Sequence, residues 1–508
     1  MGGFMTRRIL GALLLLAAPT VQAQVAQERV DLSVIQRIRE EGLNHSQIED
    51  LAGYLTDVIG PRLTGSPPMK AANEWTAAKL RSYGLQNVVV EPWGEFGKGW
   101  ERVSFAGRIL TPFVQPLDGM PVAWTGSTKG TVSGNVAYVE ITQRADLDKF
   151  RGKLKGAIVL RQQAPAPGPE FREMLRRIPA DSLLAPRPAV PPQQPQRGGP
   201  DMAAFRARQA LAAAVDSLFR SEGVAAVLQP SAWQYSVLLV SGNNGARAAA
   251  APVPAPTIVV SIEQYGQIFR NLKRGVPVKV EVNVQNRFTS DDLRAYNTLG
   301  DLPGSDKAAE LVMLGAHLDS WHGGTGATDN AAGSAVMMEA MRILKALDLK
   351  PRRTIRIALW SGEEQGLLGS RFWVANHKEL WPNISAYVNV DNGTGRLRGI
   401  WDQSNELAIP VFEQILWPFR DLGVVAVRHG NTGGTDHLSF VAQGIPGFNF
   451  IQDPIEYGFR THHSNVDTYD HLVIDDLKQA AVVVAATVYA LAMRAELMPR
   501  KAVSTSSN

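Results

Sequence analysis

Two histidines and five carboxylates in this chain fall at corresponding points of a repeating pattern. His317 and Asp319 follow an apolar run ending at Ala316, and Asp329 precedes a helical pattern that starts near Ala331. Glu363 and Glu364 follow Trp360, Asp391 follows Val390, and His463 lies in the run Thr461-His462-His463-Ser464-Asn465-Val466-Asp467-Thr468. Taken singly, a Glu-Glu pair is ordinarily a solvated turn and a His-x-Asp is ordinarily structural. Their shared position, just past a strand or just before a helix, is what points to chemistry. The chain has no cysteine, so thiolate zinc sites, iron–sulfur clusters, disulfides and cysteine nucleophiles are excluded together. Any metal here is held by His, Asp and Glu.

Charge arithmetic favours two metals. Asp329, Glu364 and Asp391 with one hydroxide balance two divalent cations, and His317 and His463 add neutral nitrogen donors. Nitrogen and oxygen donors without sulfur suit Zn2+ and tolerate Co2+ or Mn2+. Asp319, two residues after a ligand imidazole, is placed to accept the other ring N–H and fix its tautomer.

These residues meet only if their segments lie side by side. Leu311 to Ala316, Thr354 to Trp360 and Ile384 to Val390 read as short apolar strands. Ala331 to Leu347 and Leu367 to His377 read as helices between them. Such alternation predicts an α/β fold with a mostly parallel central sheet flanked by helices, and ligands bind such sheets beyond the carboxyl ends of the strands. Upstream, Ile35 to Leu85 predicts helices broken at Gly60-Pro61, a further helix from about Lys70 to Tyr83, and then a strand at Val88 to Val90. Between 117 and 287 short β-rich pieces predict an inserted domain, flanked by catalytic segments 24–116 and 288–500. Ten of the 31 prolines fall between Pro165 and Pro200, which predicts an exposed, extended loop at 165–200.

The ordered motifs resemble the co-catalytic di-zinc exopeptidases, the family of bacterial secreted aminopeptidases and glutamate carboxypeptidases, and most of all its plasma glutamate carboxypeptidase branch. The likeness rests on His317-Leu318-Asp319-Ser320-Trp321, Asp329-Asn330-Ala331-Ala332-Gly333, Trp360-Ser361-Gly362-Glu363-Glu364-Gln365-Gly366, Val390-Asp391, and His462-His463 with Asp467-Thr468. Ile59-Gly60-Pro61-Arg62-Leu63-Thr64-Gly65-Ser66 fits as well, and the insertion is similar to a protease-associated domain. Position by position, the resemblance implies that His317 and Asp391 bind one zinc, that Glu364 and His463 bind the other, and that Asp329 bridges them. It implies Glu363 as general base, with Asp319 supporting His317. His462 either contacts the substrate or its oxyanion, as a neighbouring residue does in some relatives, or is simply a buried histidine. Gly434-Thr435-Asp436-His437 is assigned a structural role, and Asn330 replaces a second acidic residue of many relatives.

At 508 residues the chain exceeds one core's usual capacity and has the balance of an ordinary globular protein, with 45% hydrophobic and 20% charged residues. The 52 basic and 48 acidic side chains leave +4, scattered too evenly for a nucleic-acid surface. Arg7 and Arg8, the apolar stretch Ile9 to Ala18 and Val21-Gln22-Ala23 predict a signal peptide over 1–23, cleaved after Ala23. The run Ala480 to Met493 is read as a buried helix, and 501–508 as a disordered tail. The expected protein is therefore exported, periplasmic or extracellular, and free of the membrane once the leader is removed. Its expected partner is a peptide substrate, and the resemblance is compatible with a homodimer. The expected reaction is zinc-dependent exopeptidase hydrolysis of short peptides or dipeptides with a free N-terminus. A carboxypeptidase of the same fold, a glutaminyl-cyclase-like acyltransferase and a binding protein without chemistry are the alternatives.

Overall fold

The computed structural model describes residues 27–28, 30–165, 168, 175–185 and 202–501. The expected leader, the tail from 502 onward and most of the Pro-rich segment lie outside the described residues.

The expected α/β architecture is present. An eight-stranded sheet runs in the spatial order 86–95, 294–302, 353–360, 307–317, 384–389, 447–452, 397–401, 426–428. The four strands at its middle, from 353–360 to 447–452, pair in parallel, and antiparallel strands flank them. From Leu311 to His317 every residue of one central strand is buried, as expected of a parallel strand covered on both faces. The covering helices include Ala332–Ala346 and Ile474–Met493, which pack against each other through one core with Val312, Leu314, Ile355 and Ile357. The second of these is long and apolar enough to cross a bilayer, but 78% of its apolar window is buried inside the protein, so it is a core helix as read.

Local sequence explains the elements that bring the site together. Helix Pro67–Ser82 starts with Pro67 and Pro68 in its first turn, where their missing N–H groups cost nothing. Its cap is Ser66, whose side chain accepts the N–H of Met69. The buried stripe Met69, Ala72, Asn73, Thr76, Ala77 and Leu80 has helical spacing. Helix Ala332–Ala346 begins against the neighbouring strand end: a Cβ on Gly333 would lie 2.4 Å from the carbonyl of Val390 and 2.4 Å from Oδ1 of Asn330. Glycine therefore lets the segment carrying Asp329 approach the one carrying Asp391. Asn330 closes the junction, donating from Nδ2 to the Val390 carbonyl at 3.0 Å and accepting the Gly333 N–H at 2.9 Å.

A second eight-stranded sheet runs in the order 115–116, 99–111, 279–289, 132–138, 158–160, 226–230, 257–260, 119–121. It has its own apolar core of Ile109, Val136, Ile158, Leu228, Ile258 and Val280. The boundary expected at 117 falls inside this sheet, because strand 99–111 pairs along its length with 279–289. Such pairing joins residues about 180 positions apart, and no local pattern signals it. A long helix, Met202–Glu222, also lies in this part of the chain and was not foreseen.

Of the Pro-rich stretch, residues 165, 168 and 175–185 are described, and all of these but Ile178 and Leu183 are exposed. Residues 175–185 dock on the far edge of the catalytic sheet, where helix Ala180–Leu184 buries Leu183 against Ala426 and Ile451.

Candidate metal centre

The strand ends deliver the expected residues to one place. His317 closes strand Lys307–His317, Glu363 and Glu364 follow strand Arg353–Trp360, Asp391 follows strand Ile384–Asn389, and Asp329 lies just before helix Ala332–Ala346. His463 enters from a loop after strand Gly447–Gln452.

Asp329 lies at the centre, its oxygens divided between the imidazoles. Its Oδ1 is 3.2 Å from Nε2 of His317, and its Oδ2 is 3.3 Å from Nε2 of His463. On the first side, Nε2 of His317 also lies 3.2 Å from Oδ1 of Asp391. On the second, Nε2 of His463 lies 2.8 Å from Oε2 of Glu364. His317, Asp329 and Asp391 offer donor atoms within 4.8 Å of one another, and so do Asp329, His462 and His463. His462 is a competitor for the second place, but its Nε2 stands 3.8 Å from Asp329, and Glu364 is nearer to His463 and almost fully buried.

The donor set fits cations. Oδ2 of Asp329 and Oε1 of Glu364 are buried and accept no hydrogen bond, a costly state that an ion would relieve. Burial, reinforced by Asp329, Asp319 and Asp391 and opposed by His317, holds the Glu364 carboxyl well above its ordinary range. Burial does the same to Glu363, with Asp391 and Asp436 adding to it. Burial opposes charge on His317, yet Asp391, Glu363, Asp319 and Asp329 carry it well above the ordinary imidazole value. Burial also pushes Asp329 up, but the bond to His317 and the neighbouring imidazoles hold it below the carboxylate range.

Asp319 differs from the expected role. Nδ1 of His317 meets its backbone carbonyl at 2.9 Å, while the nearer carboxylate oxygen is 3.6 Å away, beyond a hydrogen bond. The carboxylate is engaged elsewhere. It accepts the hydroxyl of Thr64 at 2.7 Å and the N–H groups of Glu363 and Glu364 at 3.3 and 3.4 Å, so it shapes the turn that presents those two glutamates.

His462 is stacked on His463 with ring centres 3.8 Å apart, and Tyr457 covers its other neighbourhood at 4.8 Å. Burial lowers its pKa, so the ring is neutral, and it keeps some exposure on the open side of Asp329. Asp436 is buried and accepts the Ser370 hydroxyl at 2.5 Å.

Two residues act in ways the motifs did not disclose. Asp467 accepts the N–H groups of Thr328 at 2.6 Å and Asp329 at 3.1 Å, fixing the backbone of the bridging carboxylate. Burial pushes its pKa to about 7. Arg62 is fully buried and donates to five carbonyl oxygens, those of Leu318, Leu55, Gly60, Thr325 and Gly326. Burial lowers its pKa only to about 10, so it stays charged beneath Asp467, Asp319, Asp329 and Glu364.

This sheet and this arrangement of donors define a metallopeptidase. Residues 297–488 match the model of peptidase family M28, and all five candidate ligands fall within them. Over most of its length the chain is similar to carboxypeptidase Q of Pongo abelii, 28% identical across 88% of this chain and 85% of that protein. It is likewise 28% identical to carboxypeptidase Q of Mus musculus, across 88% and 86%. Among solved structures, the peptidase M28 precursor of Shewanella amazonensis superposes with a TM-score of 0.65 at 26% identity, covering 92% of this chain and 98% of that one. The zinc aminopeptidase BSAP of Bacillus subtilis shares the fold, with a TM-score of 0.56 at 19% identity over 87% and 93%.

Proposed function

We propose that the protein is an exported di-zinc exopeptidase that hydrolyses short peptides or dipeptides bearing a free N-terminus. The observation that carries this reading is the division of Asp329 between two imidazoles, each with its own further carboxylate. His317 and Asp391 would hold one cation, Glu364 and His463 the other, and Asp329 both. Two divalent cations there would acidify a water and polarise the scissile carbonyl as Lewis acids.

The chain's own groups do the rest. Glu363, buried beside the set with Oε2 4.0 Å from Nε2 of His317, takes the proton of the attacking water and passes it to the leaving amine. Its raised pKa suits a group that must both accept and return a proton near neutrality. His462, neutral and partly exposed, would donate to the oxygen that gains charge. The second domain, of protease-associated type in this reading, would bound the substrate's length.

The names of the carboxypeptidase Q relatives favour a second reading, removal of C-terminal residues. Hydrolysis of one dipeptide, free and N-acetylated, after chelation and again after zinc is restored, separates the two. Zinc-dependent cleavage of the free form alone supports the proposal, and cleavage of the acetylated form supports the carboxypeptidase. Cleavage of neither returns the cyclase-like and binding readings.

A further inference from the structure

Residues 453–465 carry His462 and His463, and segments from outside the catalytic sheet grip this stretch at both ends. At its start, Arg176 and Ile455 exchange N–H to carbonyl bonds of 3.1 and 3.0 Å, forming an antiparallel bridge. The N–H of Ile178 donates to Oδ1 of Asp453 at 2.8 Å. The Arg177 guanidinium bonds Asp453 at 3.1 Å and Asp476 at 2.5 Å, two carboxylates that are almost fully buried. The Arg176 guanidinium lies 5.5 Å over the ring of Phe459.

At the other end the contact reaches the ligand itself. The N–H of Val240 donates to the carbonyl of His463 at 2.8 Å, and the N–H of Asn465 donates to the carbonyl of Leu238 at 3.1 Å. Leu238 returns its N–H to Oδ1 of Asn465 at 2.7 Å, and Leu239 pairs with Ser464. The backbone of His463 has φ +57°, a left-handed conformation uncommon outside glycine, so this outside contact opposes its relaxation. Residues 176–178 and 238–240 both come from the chain between strands 158–160 and 257–260 of the second sheet.

We infer that the inserted domain is a structural half of one metal site: through residues 176–178 and 238–240 it positions His463 against Glu364 and Asp329. The inference rests on the proposed di-metal reading. Its signature is asymmetry. His317 ends one strand of the central sheet, Asp391 closely follows another, and neither receives any of these bonds. Loosening the grip therefore weakens the His463 site and spares the His317 site. Arg177 and Asn465 act as positioning residues, since neither touches the donors directly.

The test is titration of the full-length, metal-free mature protein with Co2+, followed by visible absorption and by competition with a chelator. His463→Ala supplies the spectrum of a protein lacking that site. Asn465→Ala and Arg177→Ala, at opposite ends of the stretch, are each expected to bind one Co2+ as the unmodified protein does and the other about 10-fold or more weakly. The remaining spectrum should match that of His463→Ala. Wild-type affinity for both ions in either folded variant overturns the inference. So does parallel loss of both ions with a lowered melting temperature of the metal-free protein, which would mark a general folding role. If Asn465→Ala does not fold, Arg177→Ala decides alone. An unmodified protein that binds fewer than two Co2+ overturns the di-metal reading itself and this inference with it.

Discussion

Asp319 holds His317 through its main chain: the Asp319 carbonyl lies 2.9 Å from Nδ1, against 3.6 Å for the carboxylate. A carbonyl only accepts, so Nδ1 keeps a hydrogen in either charge state, and Nε2, which faces Asp329 and Asp391, is the nitrogen left to bind a cation. The tautomer is thus set by an atom that no side-chain substitution removes. Asp319→Asn should leave the cation at His317 in place, while its altered turn lowers turnover about 10–100-fold. Metal content and kcat measured on the same preparation check this. Loss of the metal with a proportional loss of rate would return the orienting role to the carboxylate.

Glu363 is expected to separate chemistry from binding. Glu363→Gln should retain both cations and lose about 10²–10⁴-fold in rate, whereas Asp329→Ala should lose the cations themselves. Peptide hydrolysis at the normal rate by Glu363→Gln would remove it from the mechanism.

Metal uptake should release protons. In the metal-free protein, His317 and Glu364 both have pKa values raised well above the ordinary ones, so both hold their protons to higher pH than the free side chains do. A cation needs the imidazole lone pair and the carboxylate, and both protons leave on binding. Affinity should therefore rise with pH through the neutral range. Calorimetric titration in two buffers of different ionisation enthalpy gives the number released, and a value near zero would contradict the picture.

Gly333→Ala tests the approach of the two carboxylate-bearing segments. The new methyl would lie 2.4 Å from a backbone carbonyl at Val390, so main chain must move. We expect a cost of about 1–3 kcal/mol in stability and a weaker His317–Asp391 site, because the displaced carbonyl immediately precedes Asp391. Thermal melting of the metal-free protein with Co2+ titration reads both. An unchanged melting temperature would mean that this junction has slack.

The catalytic sheet was legible because its central strands are short, mainly apolar runs alternating with helical patterns, Leu311 to Ala316 above all. Since each run is followed within a few residues by a histidine or carboxylate, strand direction pointed to the edge where the centre lies. What depended on distant partners was not legible. Strand 99–111 alternates weakly and finds its mate at 279–289. The alanine-rich run after Met202 carried helix propensity that the neighbouring prolines obscured. Asp467 stood in the sequence only as part of the motif with His462-His463, because its partners, the N–H groups of Thr328 and Asp329, are set by tertiary structure.

Arg62 bears on the order in which the enzyme matures. A nest of carboxylates with no cation would resist closure, yet this guanidinium already lies beneath it, locked by five carbonyls and charged at every physiological pH. A permanent internal counter-ion lets the polypeptide complete its folding first and load metal afterwards, wherever the supply happens to be. If the protein is exported as proposed, assembly would then be independent of zinc in the compartment where it is synthesised.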